Sequence, residues 1–336
     1  MKAARLHAPR DIRIEEIPTP RPAAGEVLVR VRAVSICASD WRLYTDGHSG
    51  GVVPDHPIIQ GHEFAGDVVA LGEGVTAPSV GTRVAVEPSW HCGRCDQCQR
   101  GYTNICRNVV FPSFPPRDGA LAEYIACPVT SVCPLPETVS YAEGALVEPL
   151  GVAIHAVRLA RPQAGERIVI LGAGAIGTCT LLVLKAYGCS LPAVVEPVAG
   201  RREWPARLGA APLVADYQEL LNAGIEADIV FECSGDNAAL AQAMRLARPA
   251  GRVMMVGIPQ PEQVSFDASV ARRRELTVVF TRRSRDTLTE AVGLAATGRV
   301  DLAAFPIRRY SLAQAMAAME ATGARPGDML RAVVFP

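Results

Sequence analysis

The chain has no surplus of charge of either sign. Its 336 residues carry 34 Lys and Arg against 34 Asp and Glu, a formal net charge of zero. Without a basic excess, neither a nucleic-acid partner nor a membrane-surface role is expected. The nearest basic clusters, Arg272–Arg274 and Arg282–Arg285, are too short to alter that. Long apolar runs are lacking too. The longest uncharged stretch, Ile168 to Leu184, falls short of the roughly 20 residues a membrane helix needs and contains three glycines. The N-terminal residues alternate charged and apolar side chains with no apolar core segment, so no signal peptide and a cytoplasmic location are expected. Internal repeats and low-complexity segments are absent. What remains is a globular composition, 49% apolar, at a length that favours two domains.

Cysteine, by contrast, is not scarce. There are ten, and in a reducing compartment clustered cysteines are metal ligands more often than disulfides. Cys92, Cys95, Cys98 and Cys106 follow C-x2-C-x2-C-x7-C within a loop over residues 90–107. Four thiolates at that spacing match tetrahedral zinc and leave no coordination position open, so the loop reads as a structural zinc site. Cys127, Cys133, Cys179, Cys189 and Cys233 are scattered in apolar surroundings and read as core residues. A second, mixed set is Cys37, His62, Glu63 and Glu148. Thiolate, imidazole and carboxylate together can leave room for water or substrate, although these residues lie far apart in sequence. His7, His48, His56, His91 and His155 have no comparable partners.

The first part of the chain reads as short strands punctuated by Gly and Pro, among them Glu26–Ile36, Ala65–Gly72 and Gly81–Pro88, which suggests an antiparallel, barrel-like domain. A helix is expected over Ser140–Ala160. Beyond it, continuous apolar runs alternate with helical patterns: Arg167–Gly172, Ala193–Pro197, Ala227–Gly235, Gly251–Gly257 and Glu275–Thr281. That rhythm predicts an α/β domain with a doubly wound parallel sheet. The expected boundaries are residues 1–150, 151–286 and 287–336, the last segment returning to the first domain through a strand over Leu330–Pro336.

Gly172-x-Gly174-x-x-Gly177, with Ala175 and Ile176 between the last two glycines, directly follows the first of those runs. The glycines make a tight turn, let the backbone approach a pyrophosphate, and let helix and strand pack closely, which is the dinucleotide fingerprint of a Rossmann domain. Glu196 follows nineteen residues after Gly177. A carboxylate there would hydrogen-bond the ribose hydroxyls and repel a 2′-phosphate, favouring NAD over NADP. Arg201 and Arg202, just downstream, keep NADP open.

Gly61–Val75 (GHEFAGDVVALGEGV), the four-cysteine loop and GAGAIG, taken with Ala145–Ala156 (ALVEPLGVAIHA) and Cys37–Asp40 (CASD), resemble the zinc-dependent medium-chain alcohol dehydrogenases. The likeness is to the branch with sorbitol, idonate and threonine dehydrogenases, and it spans essentially the whole chain. The resemblance implies a GroES-like β-barrel catalytic domain interrupted by the Rossmann domain. It implies two zinc ions per chain. The catalytic one is held by Cys37 and His62, with Glu63 as third ligand and Glu148 binding the metal or its water. It also implies that Ser39 contacts the reacting hydroxyl, that Arg283 lies on the substrate side, and that the chain assembles as a homodimer or homotetramer. Many members carry a histidine five residues after the zinc cysteine as the outlet of a proton relay; here that residue is Arg42, which cannot act as a base near neutral pH. Phe111 and Phe114, in Val109–Tyr124, are expected to line the substrate pocket.

The expected activity is hydride transfer between NAD and a secondary alcohol of a polyol, sugar acid or cyclitol. Two alternatives stay open: an L-threonine-type amino-alcohol dehydrogenase, and a non-catalytic NAD- and zinc-binding regulator with the same fold.

Overall fold

A computed structural model describes every residue of the chain except Gly50, His56 and Pro261. The reading of His56 as a histidine without ligand role therefore lies outside the described residues. The chain divides into two compact units, Met1–Glu148 with Arg285–Pro336, and Pro149–Ser284.

In the first unit the strand Glu26–Ser35 is the hub. Its side chains Val27, Val29, Val31 and Val34 are buried, as suits a β-branched strand with both faces covered. It pairs antiparallel with Glu63–Leu71, with Tyr124–Pro128 and with the C-terminal strand Arg331–Phe335. Arg83–Val86 and Val132–Pro134 extend the sheet on one side, and Ile307–Ser311 closes it on the other. A smaller sheet holds Asp11–Glu16, Lys2–Ala8 and Ile58–Ile59. The core between them includes Val34, Tyr44, Phe64, Val68, Leu121 and Val334, all at most 1% exposed. The register sets Ser35 opposite Glu63. The chain leaving that strand therefore passes beside the chain entering the next, and Cys37 follows two residues on as the N-cap of the helix Ala38–Asp46.

The second unit is a six-stranded, all-parallel sheet. Its order is Leu213–Val214, Ala193–Val195, Ile168–Leu171, Ala227–Glu232, Ala247–Met255, Thr277–Phe280. Counted within the unit this is 3-2-1-4-5-6, the doubly wound order in which dinucleotides bind where the winding reverses. All four residues of Ile168–Leu171 are buried, which explains a run that is continuously apolar rather than alternating.

Several short elements were not legible in the sequence, among them one helix and one strand of the first unit. The helix Ala38–Asp46 has a weak apolar face, with only Asp40, Leu43 and Tyr44 buried. The strand Ile307–Ser311 is an edge strand with two exposed arginines, and it borrows its pairing from Arg331–Phe335. Among the described residues no helix is long and apolar enough to cross a membrane.

The glycine-rich turn is sterically exacting at one position. A Cβ on Gly177 would lie 1.9 Å from the Gly172 carbonyl oxygen, whereas one on Gly174 would meet nothing within 4 Å. Gly177→Ala must push the helix Ala175–Ala186 off the sheet. Such overpacking costs about 1–3 kcal/mol, which lowers the Tm of this unit by roughly 3–10 °C; Gly174→Ala shifts it less. Paired calorimetric scans of the two variants check this.

Candidate metal centre and dinucleotide site

Three of the expected zinc donors converge. Cys37, His62 and Glu63 each present a ligand atom, and these atoms lie within 4.8 Å of one another. The backbone explains how. Gly61, at φ +94°, packs so tightly that a Cβ would sit 2.7 Å from Val34 Cγ1. This draws the chain before His62 against the hub strand, and Glu63 opens the strand Glu63–Leu71.

His62 is aimed by a residue that the sequence reading passed over. Asp40 is fully buried. Its carboxylate accepts the Cys37 N–H at 3.0 Å and the Gly61 N–H at 3.2 Å, and it lies 3.3 Å from His62 Nδ1. Burial alone would push the His62 pKa down, but the Asp40 charge outweighs it and raises the pKa well above the ordinary value. The same contacts lower that of Asp40 against its own burial. With Nδ1 turned to Asp40, Nε2 is left for a metal, the carboxylate–histidine–metal arrangement that fixes tautomer and ring orientation. The signal in the sequence was the Cys-x-x-Asp spacing: an acid at the third helical residue reaches back to the N-cap N–H.

Glu63 is held from the other side. Arg331 Nη2 donates to Glu63 Oε1 at 2.9 Å, and both residues are buried. Glu63 Oε2 is buried with no hydrogen-bond partner among the described residues. An uncompensated carboxylate oxygen in the interior is costly. Beside a thiol and an imidazole nitrogen it fits a cation, and the mixed soft and borderline donors fit zinc.

Glu148 is not among the three donors that lie within 4.8 Å of one another, but it is buried close enough to feel the charges of Glu63 and His62. It rides on the helix Tyr141–Ala160, whereas the trio sits on a strand and the chain ends beside it. Burial, then the charge of Glu63, pushes its carboxyl up to about 8. Ser39 is half-buried in the first turn of the helix Ala38–Asp46, and Arg42 is half-buried one turn on. The Phe111 ring lies 4.9 Å from the His62 ring, with Phe114 5.9 Å beyond. Arg283 belongs to the second unit, half-buried, with φ of 54°.

The other cluster is all sulfur. Cys92, Cys95, Cys98 and Cys106 have their Sγ atoms within 4.8 Å of one another. The separations Cys95–Cys98 and Cys92–Cys106 are 3.5 Å, and Cys95–Cys106 is 3.8 Å. A tetrahedron with zinc–sulfur bonds of 2.3 Å has edges of about 3.8 Å. Main-chain and side-chain N–H groups point at these sulfurs: Cys92 N–H and Asn108 N–H reach Cys106 Sγ at 3.3 Å, and the Asn108 amide reaches Cys92 Sγ. The Arg94 N–H and then the Asn108 amide bring Cys92 down to about 6, while burial and then the neighbouring Cys95 sulfur push Cys98 up to about 12. Crowded thiolates oppose one another's charge, and a divalent ion relieves that. Of the other cysteines, Cys127, Cys133 and Cys179 are buried in the core, whereas Cys189 and Cys233 are half-buried.

In the second unit Gly172 turns at φ +92° and Gly174 caps the helix Ala175–Ala186, so free N–H groups face the side from which an anion would approach. Glu196 is buried at the end of Ala193–Val195. Its carboxylate accepts the N–H of Ala173 at 2.7 Å and of Val198 at 2.9 Å. Arg202 donates to the carbonyls of Glu196 and Pro197, and Arg201 is half-buried in the first turn of the helix Ala199–Arg207.

Cys95→Ser is expected to lower zinc content by one equivalent per chain and to reduce the Tm, both read on the same preparation by elemental analysis and thermal melting.

The chain matches two family descriptions, an alcohol dehydrogenase GroES-like domain over residues 23–137 and a zinc-binding dehydrogenase over residues 175–297. It is 35% identical to a sorbitol dehydrogenase of Bacillus subtilis across 100% of this chain and 97% of that protein. A zinc-binding dehydrogenase from Sinorhizobium meliloti, solved bound to NADP, is 31% identical with a TM-score of 0.89, covering 100% of this chain and 99% of that one. The 2R,3R-butanediol dehydrogenase of Bacillus subtilis is 29% identical with a TM-score of 0.89, at 100% and 99% coverage. With a GroES-like unit, a Rossmann unit and full-length identity of this order, the chain belongs to the zinc-dependent medium-chain alcohol dehydrogenases, in their sorbitol-dehydrogenase-like branch.

Proposed function

We propose that the protein is a zinc- and NAD-dependent dehydrogenase that oxidises a secondary alcohol of a polyol, sugar acid or cyclitol to a ketone. The observation that carries this reading is the cluster of Cys37, His62 and Glu63 around a buried Glu63 oxygen without a partner among the described residues. Three donors leave a tetrahedral ion one position for substrate, which a four-thiolate set does not. The likeness to sorbitol dehydrogenase supports the polyol class.

When bound, zinc supplies the Lewis acidity that makes an alcohol proton acidic near neutral pH, and NAD supplies the hydride acceptor. The chain's residues do the rest. Asp40 keeps the proton of His62 on Nδ1, and Arg331 keeps the Glu63 carboxylate turned inward. Ser39 Oγ would accept the proton of the substrate hydroxyl while releasing its own. Arg42 stays protonated and cannot pass that proton on. The buried Glu148 would take it instead, in the carboxylate form that the positive charge of a bound zinc favours.

For the nucleotide, a buried carboxylate at Glu196 with both oxygens held by main-chain N–H groups favours ribose hydroxyls over a 2′-phosphate. Arg202, engaged with two carbonyls, is less suited to hold a phosphate.

The test is NADH absorbance with a panel of polyols, sugar acids and L-threonine, on protein whose zinc content has been verified. Turnover with a polyol or sugar acid supports the reading; turnover with L-threonine alone, or with nothing, overturns it. Cys37→Ala is expected to abolish turnover while NADH binding, followed by fluorescence, persists. Glu196→Gln is expected to narrow the preference for NAD over NADP by roughly tenfold, read as the ratio of kcat/KM values.

A further inference from the structure

His62 has a second neighbour at Nδ1. Ser113 Oγ lies 3.4 Å from that nitrogen, about as near as Asp40 at 3.3 Å. Ser113 is 0% exposed, so its hydroxyl has no access to bulk water. Its backbone is unusual as well. The Phe114 N–H donates to the Phe111 carbonyl at 3.3 Å, closing a four-residue turn with Pro112 second and Ser113 third. Ser113 has φ of 83°. Proline second and a positive φ third is the pattern of a type II turn, whose third position glycine takes without strain. A serine there is held against its own backbone preference, and such outliers gather where the surroundings impose them for function. Phe111, the first residue of the same turn, places its ring 4.9 Å from that of His62. One short turn thus meets the imidazole twice, by a ring contact and by a hydroxyl at its proton-bearing nitrogen.

We propose that Ser113 is a positioning residue for His62, its hydroxyl sharing the Nδ1 proton with Asp40 so that the imidazole presents Nε2 in one fixed orientation. Asp40 already accepts two main-chain N–H groups, and its single contact with Nδ1 restrains the tilt of the ring about that axis less than two contacts would. A second acceptor on a different chain segment restrains the tilt further. Loss of such outer contacts typically weakens a metal site by about 10–100-fold.

The inference rests on reading Cys37, His62 and Glu63 as a zinc site, and the experiment tests that separately. Zinc release from the intact holoenzyme into a chromophoric chelator is followed for the wild type, Cys37→Ala, Ser113→Ala and Ser113→Gly. The wild type is expected to release two equivalents in two phases, and Cys37→Ala to lack one of them, which identifies the mixed site. A wild type holding one equivalent, unchanged in Cys37→Ala, ends both readings. Ser113→Ala removes the hydroxyl and keeps the strained φ, whereas Ser113→Gly removes both. If the hydroxyl positions His62, both variants release zinc from the mixed site about tenfold faster and leave the thiolate phase unchanged. The visible spectrum of the cobalt-exchanged enzyme shifts with them, which a merely structural role would not produce. Wild-type release and spectrum in both variants overturn the proposal. So does a wild-type Ser113→Gly beside an impaired Ser113→Ala, because the backbone rather than the hydroxyl would then be responsible.

Discussion

A single buried carboxylate organises the cluster of Cys37, His62 and Glu63. Asp40 binds the N–H groups of Cys37 and Gly61 and lies against His62 Nδ1, while its own carbonyl accepts the Gln60 amide at 2.7 Å. A charge placed there without partners would be prohibitively costly. Among the described residues, its hydrogen-bond partners belong to the two chain segments that carry Cys37, His62 and Glu63. Satisfying Asp40 and assembling the site are therefore one event, and the sheet register, with Ser35 opposite Glu63, brings those segments within reach. Arg331, on the last strand, adds a third segment by closing on Glu63. The return of the C-terminus to the first unit thus has a chemical consequence besides completing a sheet.

The two clusters of candidate metal donors illustrate how ligand type divides labour. Four sulfurs on one short loop, fed by nearby N–H groups, build a closed shell whose geometry is set locally. The mixed cluster takes its donors from two segments and depends on the fold for its shape. Its carboxylate is half committed, one oxygen to an arginine and the other without a partner among the described residues. That asymmetry suits a centre with a position to offer, whereas the thiolate loop offers none.

Legibility in the sequence followed the range of the interactions. The four-cysteine loop and the glycine turn were readable because their determinants are neighbours in the chain: sulfur spacing in one case, steric room in the other. The parallel sheet was readable from runs such as Ile168–Leu171, where burial on both faces removes the alternation. The helix Ala38–Asp46 and the edge strand Ile307–Ser311 were not, because neither carries a strong pattern of its own and each is stabilised by what packs or pairs with it. Asp40 and Ser113 escaped for the same reason: a polar residue announces its role only when its partners are known.

The amino-acid sequence by itself determined the family, the two kinds of unit, the thiolate loop and the dinucleotide turn, since these depend on residue type at short spacing. Only the tertiary structure decided which distant donors meet. It brought Cys37, His62 and Glu63 together and set Asp40, Arg331 and Ser113 around them. The physical reason is that a buried polar group must be satisfied by whatever the fold places beside it, and sheet register and loop packing, not sequence spacing, choose those neighbours.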